Sequence, residues 1–173
     1  MQYSLFIDSD AKLSGALLVR EPGGAVRPAR RAEILSVARE LVTLSEVRGK
    51  DMTHPDKVKT FLQLRLAGLE HEVGGLLLLD MRNHLITYLE PFRGTLGQAA
   101  VYPREIVKLA LQYNAAAIIM VHNHPSGQAL ASREDIQLTK MVKQALALVD
   151  VRLVDHFIVA GAQMISMAEA GLM

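Results

Sequence analysis

Ala115-Ala116-Ala117-Ile118-Ile119-Met120-Val121-His122-Asn123-His124-Pro125-Ser126-Gly127 is the stretch on which the reading of this chain turns. The seven apolar residues show no polar alternation, so they read as a strand covered on both faces. His122-Asn123-His124 ends the run abruptly, and Pro125-Ser126-Gly127 makes a turn. Residues i and i+2 of a strand share a face, so the two imidazoles project side by side at the strand end. Neutral imidazoles at that spacing suit zinc, which binds nitrogen at roughly 2.0–2.1 Å. Downstream, Ser132-Arg133-Glu134-Asp135 is a capping signature ahead of Ile136, Leu138, Met141, Val142, Ala145, Leu146 and Val149, the apolar positions of a helix. Asp135, in its first turn, is the candidate third ligand. Two histidines, a carboxylate and one exchangeable position are the arrangement of catalytic rather than structural zinc. Each residue also has a plainer role when taken alone: Ser132 as an N-cap, and Asp135 as a partner of the helix dipole.

Outward from this segment the pattern mixes strands and helices. Val73–Asp80 and His84–Glu90 read as two strands joined by Met81-Arg82-Asn83, and Leu76–Leu79 reads as core. A loop with Gly94 and Gly97 follows, then a helix from Pro103 to about Tyr113, capped by Asn114. Val151–Ala160 and Gln163–Ser166 are the last strands, and Ser166 opens a final helical turn. Upstream, Thr53-His54-Pro55 opens a helix with Thr53 as N-cap, and Gly68 stops it. A further helix runs from Arg30 to about Glu46. Tyr3–Ile7 and Ala16–Val19 read as short paired strands, with Glu21–Gly24 and Arg27-Pro28 as turn and linker. Strands and helices do not alternate strictly, so the class is α/β, an α+β mixed sheet. The expected organisation is an N-terminal segment of unknown role with one helix (1–50), then one domain (51–173).

The 173 residues are 50% hydrophobic and 21% charged, enough for one sizeable core and unlike a disordered chain or a coiled-coil rod. There is no cysteine, which excludes disulfides, thiolate zinc sites, iron–sulfur clusters and a cysteine nucleophile. A zinc site here must use histidine and carboxylate. The net charge of +1 lacks the basic excess of a protein that grips nucleic acid through phosphates. The N-terminus has no charged n-region, and the apolar runs fall far short of the roughly 20 residues needed to span a bilayer. The expectation is a soluble, cytoplasmic protein without membrane contact.

A hydrolase built on such a site needs a carboxylate to collect and pass on a proton. Glu70, Glu72, Glu90, Glu105 and Asp155 are the candidates, and Glu72 stands where solvated charge gives way to the apolar strand. His54, His71 and His84 lie in or beside polar turns and read as solvated. His156 sits within a strand and reads as a core or supporting histidine bonded to a carbonyl. The scattered methionines read as core filling. The tripeptide His122-Asn123-His124 is not an HNH nuclease signature, whose three residues are spread over a ββα unit.

Glu72, His122-x-His124, the seven residues Pro125 through Ala131, Ser132 and Asp135 together resemble the JAMM motif of the JAB/MPN metalloprotease fold. His122–Gly127, with Pro103-Arg104-Glu105 upstream and Asp155-His156 downstream, resembles more narrowly the RadC family of bacterial MPN proteins, over about residues 50–173. Residues 1–50 show no helix-hairpin-helix pattern, so the resemblance is to the short, often prophage-associated members. The resemblance implies a cytidine-deaminase-like α/β sandwich and a zinc ion (Zn2+) held by His122, His124 and Asp135. It also implies Glu72 as general acid/base and Ser132 as a stabiliser of the oxyanion. The implied activity is hydrolysis of a peptide or isopeptide bond in a peptide or protein substrate of unknown identity. The rival reading is a DNA-repair- or mobile-element-associated accessory that binds DNA or protein without catalysis and whose metal is structural.

Overall fold

The computed structural model describes residues 4–7, 17–21, 23–44, 49–66, 68–94 and 101–173. It divides the chain into two units, Met1–Leu41 and Val42–Met173. In the first, β1 (Ser4–Ile7), β2 (Leu17–Arg20) and β3 (Val26–Pro28) form an antiparallel sheet in that order, with Ser4 opposite Arg20. The pairing expected of the first two strands is present; Tyr3 and Ala16 lie outside the described residues. Arg27-Pro28, read as linker, is instead strand, with Leu18 opposite Pro28. A proline is tolerated there because β3 is an edge strand and Pro28 is its last residue. Helix α1 (Arg31–Leu44) follows. Its Glu33 accepts both arms of the Arg27 guanidinium, at 2.7 and 2.9 Å, and the backbone N–H of Arg30 at 2.8 Å. The hydrogen bonds from Arg27, then that from Arg30, pull the Glu33 carboxyl down to about 2.

The second unit contains α2 (Pro55–Leu66), β4 (Val73–Leu79), β5 (Leu85–Arg93), α3 (Pro103–Gln112), β6 (Ala117–Asn123), α4 (Arg133–Ala147), β7 (Arg152–Ala160) and β8 (Gln163–Ser166). The strands form one sheet in the order β5-β4-β6-β7-β8. Only β6 and β7 run parallel, joined through α4; the other neighbours are antiparallel. The mixed α/β class is therefore present in this unit.

Helix α2 begins at Pro55, one residue later than a Thr53 cap requires. The Thr53 hydroxyl and N–H both donate to Asp51, at 2.5 and 2.8 Å, and the His54 carbonyl accepts the first helical N–H groups. Asp51 lies two residues upstream and is the stronger acceptor, so it captures the threonine. Asn114 does end α3 in the left-handed region, at φ 51°. Ser166 does open a final turn: its Oγ accepts the Glu169 N–H and its carbonyl accepts the Ala170 N–H, each at 3.0 Å.

The sheet is covered on both faces. Val58, Phe61, Leu62 and Leu66 of α2 pack with Leu77, Leu79, Ile119, Val121, Phe157 and Val159. On the other face, Ile106 and Ala110 of α3 and Val142 and Leu146 of α4 pack with Leu76, Leu78, Ile118, Met120 and Leu153. All of β4 and β6 is buried, which explains their unbroken apolar runs.

In β7, Leu153 and Phe157 belong to opposite faces although four residues apart, which a regular strand does not allow. The register shift supplies the reason: Ile118 faces Leu153, but Ile119 faces Asp155, so Val154 is bulged out. His156 is thereby turned level with Met120, toward α4. Among the described residues no helix is long and apolar enough to cross a membrane.

Gly75 sits where the sheet leaves no room for a side chain. A Cβ there would lie 2.6 Å from the Tyr88 hydroxyl and 2.9 Å from Val121 Cγ1. Gly75→Ala is expected to lower stability by about 1–3 kcal/mol through overpacking, read as a shifted urea midpoint with an unchanged slope.

Candidate metal centre

His122 lies in β6 on the face that meets α3 and α4, and His124 follows just past the strand end. The ladder continues under His124, whose N–H donates to the Val159 carbonyl at 2.8 Å. Asp135 is the third residue of α4. Ser132 is the N-cap, and the pair forms a reciprocal capping box. Asp135 N–H donates to Ser132 Oγ at 3.0 Å; Ser132 N–H and Oγ–H donate to Asp135 Oδ2 at 2.8 and 2.6 Å. The plain cap reading and the ligand reading of these residues are thus compatible. Oδ2 is anchored to the loop, and Oδ1 turns toward His122.

Nε2 of His122 lies 2.9 Å from Nε2 of His124 and 3.2 Å from Asp135 Oδ1, and His124 Nε2 lies 3.8 Å from Asp135 Oδ2. The three donor groups converge within 4.8 Å. Tetrahedral ligands at zinc bond lengths stand about 3.3–3.4 Å apart, close to the 3.2 Å between His122 Nε2 and Asp135 Oδ1. Chemistry supports the same fit. His124 Nδ1 faces the Gln128 carbonyl at 3.0 Å, which can only accept, so in the neutral ring Nε2 is bare. A bare nitrogen and a carboxylate turned on one point call for a cation there.

A cleft of about 440 Å³ opens beside these groups, lined by Glu72, His124, Ser132, Glu134 and Asp135 with Val101 and Leu138. Glu72 reaches it through register. Gly74 pairs with His122 across the β4–β6 ladder, so two residues further Glu72 stands opposite His124. Asn123 clamps the peptide on both sides of Glu72: its Oδ1 accepts Val73 N–H at 2.7 Å and its Nδ2 donates to the His71 carbonyl at 2.9 Å. The other carboxylates lie elsewhere. Glu70 is exposed, Glu90 and Glu105 pair with nearby arginine or lysine, and buried Asp155 accepts Ser166 Oγ–H and two backbone N–H groups. His54 and His71 are exposed, and His84 is half-buried beside Asp80.

His156 departs from the expectation of a carbonyl partner. Its Nε2 lies 2.9 Å from His122 Nδ1 and its Nδ1 lies 2.7 Å from Thr139 Oγ1. Complete burial pushes the imidazole down to about 3, so the ring is neutral. Thr139 and Asn123 were missed as supporting residues. For Thr139 a signal existed: Asp135, Thr139, Val142 and Leu146 share the buried stripe of α4, and two of the four are polar.

A mixed sheet between helices, with two histidines ending a central strand and a carboxylate opening the next helix, defines an α/β domain of the MPN/JAB type with a His-His-Asp cluster capable of holding a metal. Residues 52–172 match the RadC-like JAB domain, and the chain belongs to that family. It is 51% identical over 149 residues to a UPF0758 protein of Methylibium petroleiphilum, covering 84% of this chain and 67% of the relative. A UPF0758 protein of Polaromonas sp. is 49% identical over 84% of this chain and 66% of its own length. One of Leptothrix cholodnii is 45% identical over 92% and 75%. The chain thus spans two thirds to three quarters of the length of these curated relatives.

Removing the Asn123 clamp leaves the buried Val73 N–H unpaired. Asn123→Ala is expected to cost about 1–3 kcal/mol of stability, measured by urea denaturation.

Proposed function

We propose that residues 51–173 form a zinc-dependent hydrolase domain that cleaves a peptide or isopeptide bond. The observation that carries this reading is the open cleft in which Glu72 stands beside the His122–His124–Asp135 cluster. Those three residues would hold the ion, and the donor set of two imidazoles and a carboxylate suits zinc. When bound, zinc supplies Lewis acidity that polarises a carbonyl and activates water at neutral pH.

The remaining work falls to the chain's own residues. Glu72 acts as general base and then general acid: its carboxylate takes a proton from the attacking water and delivers it to the leaving nitrogen. The Asn123 clamp and the ladder to His122 keep its backbone in register with the cluster. Ser132 has two duties. Its hydroxyl hydrogen lies on Asp135 Oδ2 and orients that ligand. When substrate fills the cleft, the same hydrogen turns toward the carbonyl oxygen as negative charge develops there. Val101 and Leu138 give the cleft an apolar wall against which a substrate chain excludes water.

Purified protein is expected to hold about one zinc per chain, as a single four-coordinate site requires, and His124→Ala to lose it, by elemental analysis. Glu72→Gln is expected to keep the metal and to cleave a proteome-derived peptide library roughly 10²–10⁴-fold more slowly, read by mass spectrometry. Undiminished cleavage by that variant would remove Glu72 from the role.

A further inference from the structure

Behind the donor cluster lies a buried polar chain that the proposed hydrolysis does not use directly. His156 and Thr139 are 1% and 0% exposed, so each of their polar atoms must find its partner inside the fold. Three contacts run in series. Thr139 Oγ1 lies 2.6 Å from the Asp135 carbonyl oxygen, Thr139 Oγ1 lies 2.7 Å from His156 Nδ1, and His156 Nε2 lies 2.9 Å from His122 Nδ1.

The direction of this chain follows from its far end. A carbonyl oxygen only accepts, so two oxygens at 2.6 Å require the threonine hydrogen between them. Thr139 Oγ1 then has a lone pair, not a hydrogen, for His156, and His156 carries its proton on Nδ1. The buried ring of His156 touches only Thr139 and His122 and no carboxylate that would stabilise a charge, so it is a neutral imidazole with one N–H; its Nε2 is an acceptor and draws the proton of His122 onto Nδ1. Nε2 of His122 is left bare, 2.9 Å from Nε2 of His124 and 3.2 Å from Asp135 Oδ1. The reverse direction would set two oxygens against each other with no hydrogen between them.

We propose that His156 and Thr139 are positioning residues: they lock His122 in the tautomer that presents a bare Nε2 to the metal, and they tie that choice to the backbone of Asp135. The inference rests on the metal reading of the cluster but not on the hydrolytic one. The loop is closed, since the chain leaves one ligand at its ring and returns to another at its carbonyl. The bulge at Val154 turns His156 to this face, and Asp155 holds its backbone, accepting the His156 N–H at 2.7 Å. Supporting hydrogen bonds of this kind typically govern metal affinity by about 10–100-fold.

The test is zinc affinity, by competition with a chromogenic chelator, together with ring-nitrogen NMR of the zinc-loaded wild-type protein. His156→Leu is expected to bind zinc about 10–100-fold more weakly. His156→Gln, whose amide can accept from His122 and donate to Thr139, is expected to recover most of that loss. Thr139→Val is expected to weaken binding, and Thr139→Ser to leave it near the wild-type value. The NMR arm needs no variant to fold, and is expected to find the proton on Nδ1 of both His122 and His156. A proton on Nε2 of either ring, or equal affinity in His156→Leu, overturns the role alone. Wild-type protein that takes up no zinc overturns the metal reading and this role together.

Discussion

The pairing of β4 with β6 is the constraint from which the rest of the site follows. Both strands are buried on both faces, so their backbone groups have no water to fall back on and must satisfy one another. Two cores, one under α2 and one under α3 and α4, interlock with alternate residues of each strand. A slip of one residue would exchange the two sets and is forbidden by packing. That register puts His122 opposite Gly74 and carries Glu72 to His124. The proposed acid/base and the donor cluster are therefore positioned by the same ladder, from strands far apart in the chain.

Around the donor atoms, each ligand is held by a second hydrogen bond at its back. His124 is fixed by the Gln128 carbonyl, Asp135 by the Ser132 cap, and His122 by His156. Bare acceptors on one point repel each other when nothing lies between them, and the surrounding hydrogen bonds hold them there. A cation entering such a site meets ligands already ordered, so less conformational entropy is lost on binding. Burial adds to the effect by weakening the screening of the carboxylate.

Much of this was legible in the sequence. The apolar run ending in His122-Asn123-His124 announced both a central strand and a pair of imidazoles, because strand geometry repeats every two residues. Ser132-x-x-Asp135 announced a helix start, and the capping box is there. Legibility failed where a residue's partner is not the one its local pattern offers. Thr53 looked like a cap because its own segment allows it, but Asp51 took its hydroxyl. Arg27-Pro28 looked like a linker because proline opposes strands, yet an edge strand tolerates it. His156 was rightly placed in a strand, but its partners, a histidine and a threonine, come from β6 and α4.

What the sequence by itself determined was the local inventory: which segments are strand or helix, which residues bear donor atoms, and, through the absence of cysteine, that any zinc would be held by nitrogen and oxygen. Periodicity and capping act over a few residues, so they are written in the chain directly. Only the tertiary structure decided which way each donor points. The Val154 bulge shifts a strand by one residue and turns His156 to the face of His122, which no alternation of apolar residues foretold. The Asn123 clamp around Glu72 and the chain through Thr139 exist only once the sheet is assembled. Hydrogen-bond direction depends on every partner in the chain at once, and those partners meet only in the folded protein.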